Sequence, residues 1–405
     1  MVLFLHNRYR TTGGEERVVD DLAWLVRERL GEPARVLAIS SAALSRRQAA
    51  AGLLRGGLNP ERVEHAVRGA GARIVHAHNL QPAFGWRALA AARGAGARTI
   101  LHLHQYRLVC AIGVCFTRGA ECTRCHGRNT LPGVRLNCRG SSAEAVLYGA
   151  SLALWQRRVL EQADAVIVPS AFAREHLRAL GAPLPWERVH VVAPAVRALD
   201  GDGRGGHELV APRGSGAAPS ERRGAAGGPP ATTRPYALVV SRLAPEKGVD
   251  TAIDACALAG IELVIAGDGP QSDELRLRAE ASGGAVRFVG RVGASELDRL
   301  RAGAALALAP SRSPETFGLA LAEAMAAGVP VAASRVGALP ELVEEAGLAP
   351  AGDARALAAL IAQRAGDRAA GERGRERVRS VCAPGVVARS LAEVYGRNGT
   401  RGLTT

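Results

Sequence analysis

Ala305-Leu306-Ala307-Leu308-Ala309-Pro310-Ser311-Arg312-Ser313-Pro314-Glu315-Thr316-Phe317-Gly318-Leu319 reads as an apolar strand closed by a proline, a polar loop, and a helix from about Phe317 that stops at Gly328. Strand–loop–helix units of this kind build parallel α/β sheets. The unbonded N–H groups at the helix start favour an anion, and a diphosphate suits the site. Glu315 and Glu323 are eight residues apart, roughly 12 Å along a helix axis. A carboxylate accepts two hydroxyl hydrogen bonds at once, so the pair has the reach to hold two sugar rings at opposite ends of one ligand. Solvated helix glutamates would account for the pair alone, but not for the loop around it.

Working outward, the same grammar runs through the whole chain. Strands are expected at Val2–Leu5, Ala34–Ile39, Ile74–Ala77, Thr99–Leu103, Ala165–Pro169 and Val189–Val192. After Pro235 the pattern restarts with Ala237–Val240, Glu262–Ala266, Val286–Val289, Ala305–Ala309 and Val329–Ala333. Helical patterns such as Glu16–Leu30 and Gly85–Arg93 lie between. The 405 residues therefore divide into two doubly wound α/β domains, 1–196 and 235–382, with a helix and tail over 383–405. Residues 197–234, rich in Gly, Arg, Pro and Ser, read as a disordered linker. Asp200-Gly201-Asp202, a metal-binding D-x-D pattern by spelling, falls in that low-complexity stretch and is expected to be chance.

A second site signal is Val240-Ser241-Arg242-Leu243-Ala244-Pro245-Glu246-Lys247-Gly248. Arg242 and Lys247 share one strand-to-helix loop at the carboxyl edge, where open α/β sheets bind ligands. A forked guanidinium and a compact ammonium suit a diphosphate. Gly267-Asp268-Gly269-Pro270 closes the next strand and by itself is only a turn.

Taken in order, Arg242…Glu246-Lys247-Gly248, Ala266-Gly267-Asp268-Gly269-Pro270, Phe288-Val289-Gly290, Pro310-Ser311…Glu315-Thr316-Phe317-Gly318…Glu323…Gly328-Val329-Pro330-Val331, and Gly337, Pro340 and Glu341 closely resemble the retaining glycosyltransferases of family 4, also called group 1. The resemblance implies the GT-B fold, two Rossmann-like domains facing a central cleft, and sugar transfer that needs no catalytic metal. It implies that Arg242 and Lys247, with the backbone N–H groups of Phe317, Gly318 and Leu319, hold the donor diphosphate. Glu315 would bind the transferred sugar and Glu323 the ribose of a UDP- or GDP-sugar. A glycan, a lipid-linked molecule or a small molecule would be the acceptor.

In the first half, Thr12-Gly13-Gly14-Glu15-Glu16-Arg17-Val18-Val19 opens a helix after a Gly-Gly loop that lets a ligand approach the backbone. In the resembling family such a loop faces the donor phosphates. Strand alternation places His102 and His104 on one face, His104 nearer the carboxyl end. The resemblance puts a histidine beside the reacting sugar there, and His104 is the candidate, with His78 and Asn79 behind it. His76 and His102 read as hydrogen-bonded core histidines.

Cys110, Cys115, Cys122, Cys125 and Cys138 cluster directly after that strand in a Gly- and Arg-rich segment with little to form a core. Cys122 and Cys125 have metal-ligand spacing, and four thiolates close a tetrahedral zinc site. Cys110, Cys122, Cys125 and Cys138 are the expected ligands of a structural zinc, with Cys115 or His126 as substitutes; unligated thiols, a redox pair and an iron–sulfur cluster are the competing readings. Ala143–Leu160 is amphipathic and ends in Arg157-Arg158, suiting a packed helix, an acceptor wall or a membrane contact.

The net charge of +14 fits a phosphorylated substrate or a peripheral contact with an anionic membrane. A basic nucleic-acid-binding protein is the reading from another class, but the arginines are spread along the chain and no nucleic-acid motif is present. Aromatics at 4% argue against a base-stacking surface. An epimerase acting on the nucleotide-sugar would share the two-domain layout without the Glu315…Glu323 loop. The N-terminus does not read as a signal peptide, and no apolar run is long enough to span a bilayer. A cytoplasmic protein, associated at most with the inner face of the membrane, is expected.

Overall fold

The computed structural model describes residues 1–9, 13–200 and 234–396. Two parallel sheets of six strands organise it. The first contains β1 (Val2–Arg8), β2 (Ala34–Ser40), β3 (Ile74–Ala77), β4 (Arg98–His102), β7 (Ala165–Val168) and β8 (Val189–Val191), in the order β2-β1-β3-β4-β7-β8. A small antiparallel ribbon, β5 (Phe116–Thr117) with β6 (Ala120–Glu121), stands outside it. The second sheet contains β9 (Tyr236–Val240), β10 (Glu262–Ala266), β11 (Val286–Gly290), β12 (Leu306–Ala309), β13 (Val331–Ser334) and β14 (Leu348–Ala349), in the order β11-β10-β9-β12-β13-β14. The short β14 was not foreseen.

Strand alternation sorts the first core. Leu3 and Leu5 enter a cluster on one face with Val75 and Ala77, while Val2 and Phe4 enter a cluster on the other with Ile74 and Ile100. That second cluster is completed by Val387, Leu391 and Tyr395 from the helix Pro384–Val394 and the residue after it. The C-terminal helix thus crosses back to cover the N-terminal sheet. Where the chain returns, the Val196 N–H donates to the Cys382 carbonyl over 3.0 Å, so the two interdomain crossings are bonded to each other.

One boundary shifts from the expectation. Arg197–Leu199 form a 3-10 turn with Leu199 buried, and Arg197 pairs with Asp21 at 2.5 Å; these residues belong to the folded body and not to a linker. The expected linker over 201–233 and the tail over 397–405 lie outside the described residues. Asp200 is engaged by Arg29, while Gly201 and Asp202 are also outside. Among the described residues no helix is long and apolar enough to cross a membrane.

Candidate active site

In both sheets the first strand lies inside, and the order reverses beside it: at β1/β3 and at β9/β12. Loops leaving the carboxyl ends of such neighbours diverge and open a crevice. In the second sheet, β9 leads into the loop carrying Arg242 and Lys247, and β12 into the loop carrying Glu315. The Glu246 carbonyl accepts the N–H groups of Arg312 at 2.9 Å and Ser313 at 3.3 Å, and the Arg312 side chain bonds Asp250 at 2.6 Å and Thr251 at 2.8 Å. The two loops are therefore sewn into one surface.

On it, Lys247 Nζ donates to Glu315 Oε1 over 2.6 Å, and Ser311 Oγ donates to the same oxygen over 2.5 Å. Burial alone would raise the Glu315 carboxyl; Lys247, Ser311 and Arg242 together hold it below the ordinary value, so it is ionised at neutral pH. Lys247 is the single lysine in a sequence with 52 basic residues. Everywhere else the positive charge is arginine; here a compact ammonium is kept. Arg242 lies half-exposed and pairs with Glu246.

Glycines set this geometry where no side chain fits. A Cβ on Gly248, at φ 62°, would lie 2.1 Å from the Pro310 carbonyl oxygen; one on Gly337, also at φ 62°, would lie 2.2 Å from the Glu315 nitrogen. The Gly267-Asp268-Gly269 turn supports the Arg242 loop, its Asp268 carbonyl accepting the Leu243 N–H at 3.0 Å.

The helix behind Glu315 runs Leu319–Ala326, two residues later than expected, because Gly318 turns the chain at φ 103°. Phe317 is buried in the core beneath, so it offers the site only its backbone. Glu323, on this helix, has both carboxylate oxygens engaged: one by Arg301 and one by Arg17 Nε at 3.0 Å. Arg17 comes from the other domain. It was not singled out, although it stands inside the Gly-Gly-Glu-Glu-Arg stretch.

The N-terminal domain faces this surface directly. The helix Gly14–Leu30 points its start at Leu319, whose Cδ2 would lie 3.9 Å from a Cβ on Gly14. Glu16 fastens the preceding loop, accepting from the N–H groups of Tyr9 at 3.1 Å and Gly13 at 2.7 Å. The His104 carbonyl accepts the Thr316 hydroxyl at 2.9 Å, so His104 lies against the Glu315 loop. Its ring stacks on His102 at 4.2 Å, as alternation requires, and its Nε2 meets His78 Nδ1 at 2.7 Å. Burial lowers its pKa and keeps the imidazole neutral.

His76, His78 and His102 bring three ring nitrogens within 4.8 Å of one another. Their planes lie within 14–29° of parallel, so the in-plane lone pairs do not converge on one ion. His76 is instead spent on Tyr395 at 2.8 Å and His102 at 3.2 Å. This is a hydrogen-bonded stack.

Beside His78 and His104 an open cleft of about 840 Å³ runs into the N-terminal domain. One end carries Tyr9, Glu15, Asn79 and Gln105; the other carries Leu53, Trp86, Leu152 and Trp155. Two of the four tryptophans meet there, ring centroids 5.9 Å apart. Sequence reasoning missed this end, since its residues come from three separate helices. The helix Ser142–Glu161 supplies Leu152 and Trp155 to the wall while exposing Val146 and Leu154 on its outer side.

Residues 2–195 match the model of a glycosyl transferase 4-like domain, and residues 225–380 match that of the glycosyl transferases group 1. The chain belongs to the group 1 glycosyltransferases and has the GT-B fold. A GDP-mannose-dependent alpha-(1-6)-phosphatidylinositol monomannoside mannosyltransferase of Mycobacterium tuberculosis is 37% identical over 163 residues, 35% of this chain and 42% of that protein. The amylovoran biosynthesis glycosyltransferase AmsK of Erwinia amylovora is 37% identical over 140 residues, 31% of this chain and 34% of its own. The matched stretches thus span less than half the length of these curated relatives. Among solved structures, HepE of Anabaena in complex with UDP and glucose superposes with a TM-score of 0.62 at 18% identity, covering 98% of this chain and 99% of its own. A glycosyltransferase from Rickettsia africae does so at 0.65 with 15% identity, covering 97% of each.

Proposed function

We propose that this protein is a retaining glycosyltransferase that moves a sugar from a nucleotide diphosphate-sugar to an acceptor hydroxyl, with UDP- and GDP-sugars the favoured donors. One observation carries the reading: the chain's single lysine is bonded to an ionised Glu315 at the switch point of the second sheet, opposite Gly13-Gly14. Lys247, Arg242 and the amides of Gly318 and Leu319 stabilise the charge that grows on the leaving diphosphate. The cations that a metal would otherwise supply are side chains, so catalysis is metal-independent. Glu315 accepts hydroxyls of the transferred sugar and faces the positive charge that develops at its ring. Glu323, oriented by Arg301 and Arg17, has lone pairs left for ribose hydroxyls. His104, neutral, stands where the acceptor meets the sugar. Retention of configuration rests on the family resemblance.

The cleft narrows the acceptor class. A polar end and a tryptophan-lined end suit a hydroxyl on an apolar carrier, lipid-linked or small-molecule, better than a bare glycan. Leu54, Leu154, Arg55, Arg157 and Arg158, all exposed beside the cleft, suit an anionic bilayer. The reading is tested by calorimetry with UDP, GDP, ADP and TDP on the wild type and on the Glu315→Ala and Lys247→Ala variants. The sugar-nucleotides of the base that binds are then assayed for turnover, with the product anomer read by NMR and binding to anionic against neutral vesicles compared. Binding of none of the four, or unaltered turnover in either variant, overturns the assignment.

A further inference from the structure

Between β4 and the helix Ser142–Glu161 the chain carries only the β5–β6 ribbon and the short helix Leu131–Arg135. Its five cysteines nevertheless line one small enclosed cavity. The other walls are small or apolar, with Ile112, Phe116 and Leu136 the largest, plus the Thr117 hydroxyl; no carboxylate, imidazole, ammonium or guanidinium enters it. A cavity walled by thiols and hydrocarbon is soft in the ligand sense and selects zinc over oxygen-loving cations.

The chain is folded closely around the cavity: the Tyr106 carbonyl accepts the Cys110 N–H over 2.7 Å, and Gly133 lies against Cys125, whose Sγ would stand 3.6 Å from a Cβ there. The Cys122 N–H donates to the Cys115 carbonyl over 2.8 Å, bringing those two side by side. Cys138 differs from the other four in having its thiol bonded to another side chain, Thr117 Oγ1, at 3.6 Å. His126 is turned away, its ring filling the space over Gly181, where a Cβ would lie 2.2 Å from it.

We propose that Cys110, Cys115, Cys122 and Cys125 bind one zinc ion as four thiolates, each thiol releasing its proton to solvent on binding, and that Cys138 is not a ligand. The set differs by one member from the one that spacing alone selects. No three of the sulfurs lie mutually within 4.8 Å among the described residues. Sulfurs on one zinc stand about 3.8 Å apart, so the ion draws these loops inward. It thereby supplies the stabilisation that a segment without its own core lacks. The same segment carries Gln105, Arg107 and Leu108 into the cleft wall, so the ion also fixes one side of that cleft. This holds whatever the acceptor is.

The test uses the full-length chain purified under reductant from zinc-supplemented cells, with metal content measured by mass spectrometry and the visible spectrum recorded. About one zinc per chain is expected in the wild type and in Cys138→Ser, and loss of the ion in Cys115→Ser and Cys122→Ser. Removing zinc from the wild type with a chelator should lower the thermal midpoint, and adding zinc should restore it. Nucleoside diphosphate binding by the same preparations identifies variants that are folded, and the wild-type arm decides the matter if none is. Absence of zinc after loading, a coloured iron-containing protein, a mass two hydrogens short from a disulfide, or zinc kept by Cys115→Ser and lost by Cys138→Ser each overturns the proposal.

Discussion

The Thr316 hydroxyl donates to the His104 carbonyl over 2.9 Å, and the Thr316 carbonyl accepts from Ser170 Oγ over 2.7 Å. The residue next to Glu315 is therefore fastened on both sides to the opposite domain. Thr316→Val keeps the shape and removes the donor. One such bond contributes about 1 kcal/mol, which predicts a roughly fivefold rise in donor KM with little change in unfolding temperature. An unchanged KM would show that this bond does not help close the cleft.

Because Lys247 is the single lysine, an amine-directed reagent has one side-chain target. Reductive labelling with pyridoxal phosphate should modify Lys247, abolish transfer, and be blocked by the nucleoside diphosphate that binds. Labelling that ignores the nucleotide would place the phosphates elsewhere. Lys247→Arg should not restore activity, since a planar fork cannot replace a point donor 2.6 Å from Glu315.

The histidine stack predicts acid sensitivity with a definite sign. Burial, joined by the neighbouring imidazoles, lowers His76 to about 3 and holds His78 and His102 well below the ordinary range. The native state therefore stays unprotonated there, while the unfolded chain binds protons below about 6.5. Stability is full above that pH and is lost as pH falls beneath it, by about 1.4 kcal/mol per histidine per pH unit. Urea unfolding at pH 7.0, 6.0 and 5.5 should show this slope, and His102→Phe should make it shallower. A flat profile would contradict the buried stack.

Gly337→Ala should damage the donor site without touching a ligand. At φ 62° its new methyl would meet the Glu315 backbone at 2.2 Å. A loss of about 1–3 kcal/mol in stability is expected from the strained conformation, together with weaker nucleotide binding. Gly283→Ala, at φ 68° with nothing near its Cβ, is the control: it should cost stability only.

Much of this was readable because it is periodic or local. Alternating strands located both sheets, and the loop spelling from Arg242 to Lys247 and from Ser311 to Glu323 named the surface that the structure assembles. What stayed hidden depends on contacts between distant segments. Arg17 meets Glu323, Thr316 meets His104, and Leu53, Trp86 and Trp155 meet each other only after the fold has formed. The Gly318 turn delays the helix to Leu319, although the loop reads as helical from Phe317.

The helix Pro384–Val394 covers a sheet whose first strand begins at Val2. During synthesis the N-terminal domain therefore emerges with part of that face, beside the helix Gly14–Leu30, still bare. That face must wait for almost the entire chain to leave the ribosome. The two halves cannot mature in sequence as independent units, and a protein cut between them would leave its first half with an exposed apolar layer that invites aggregation.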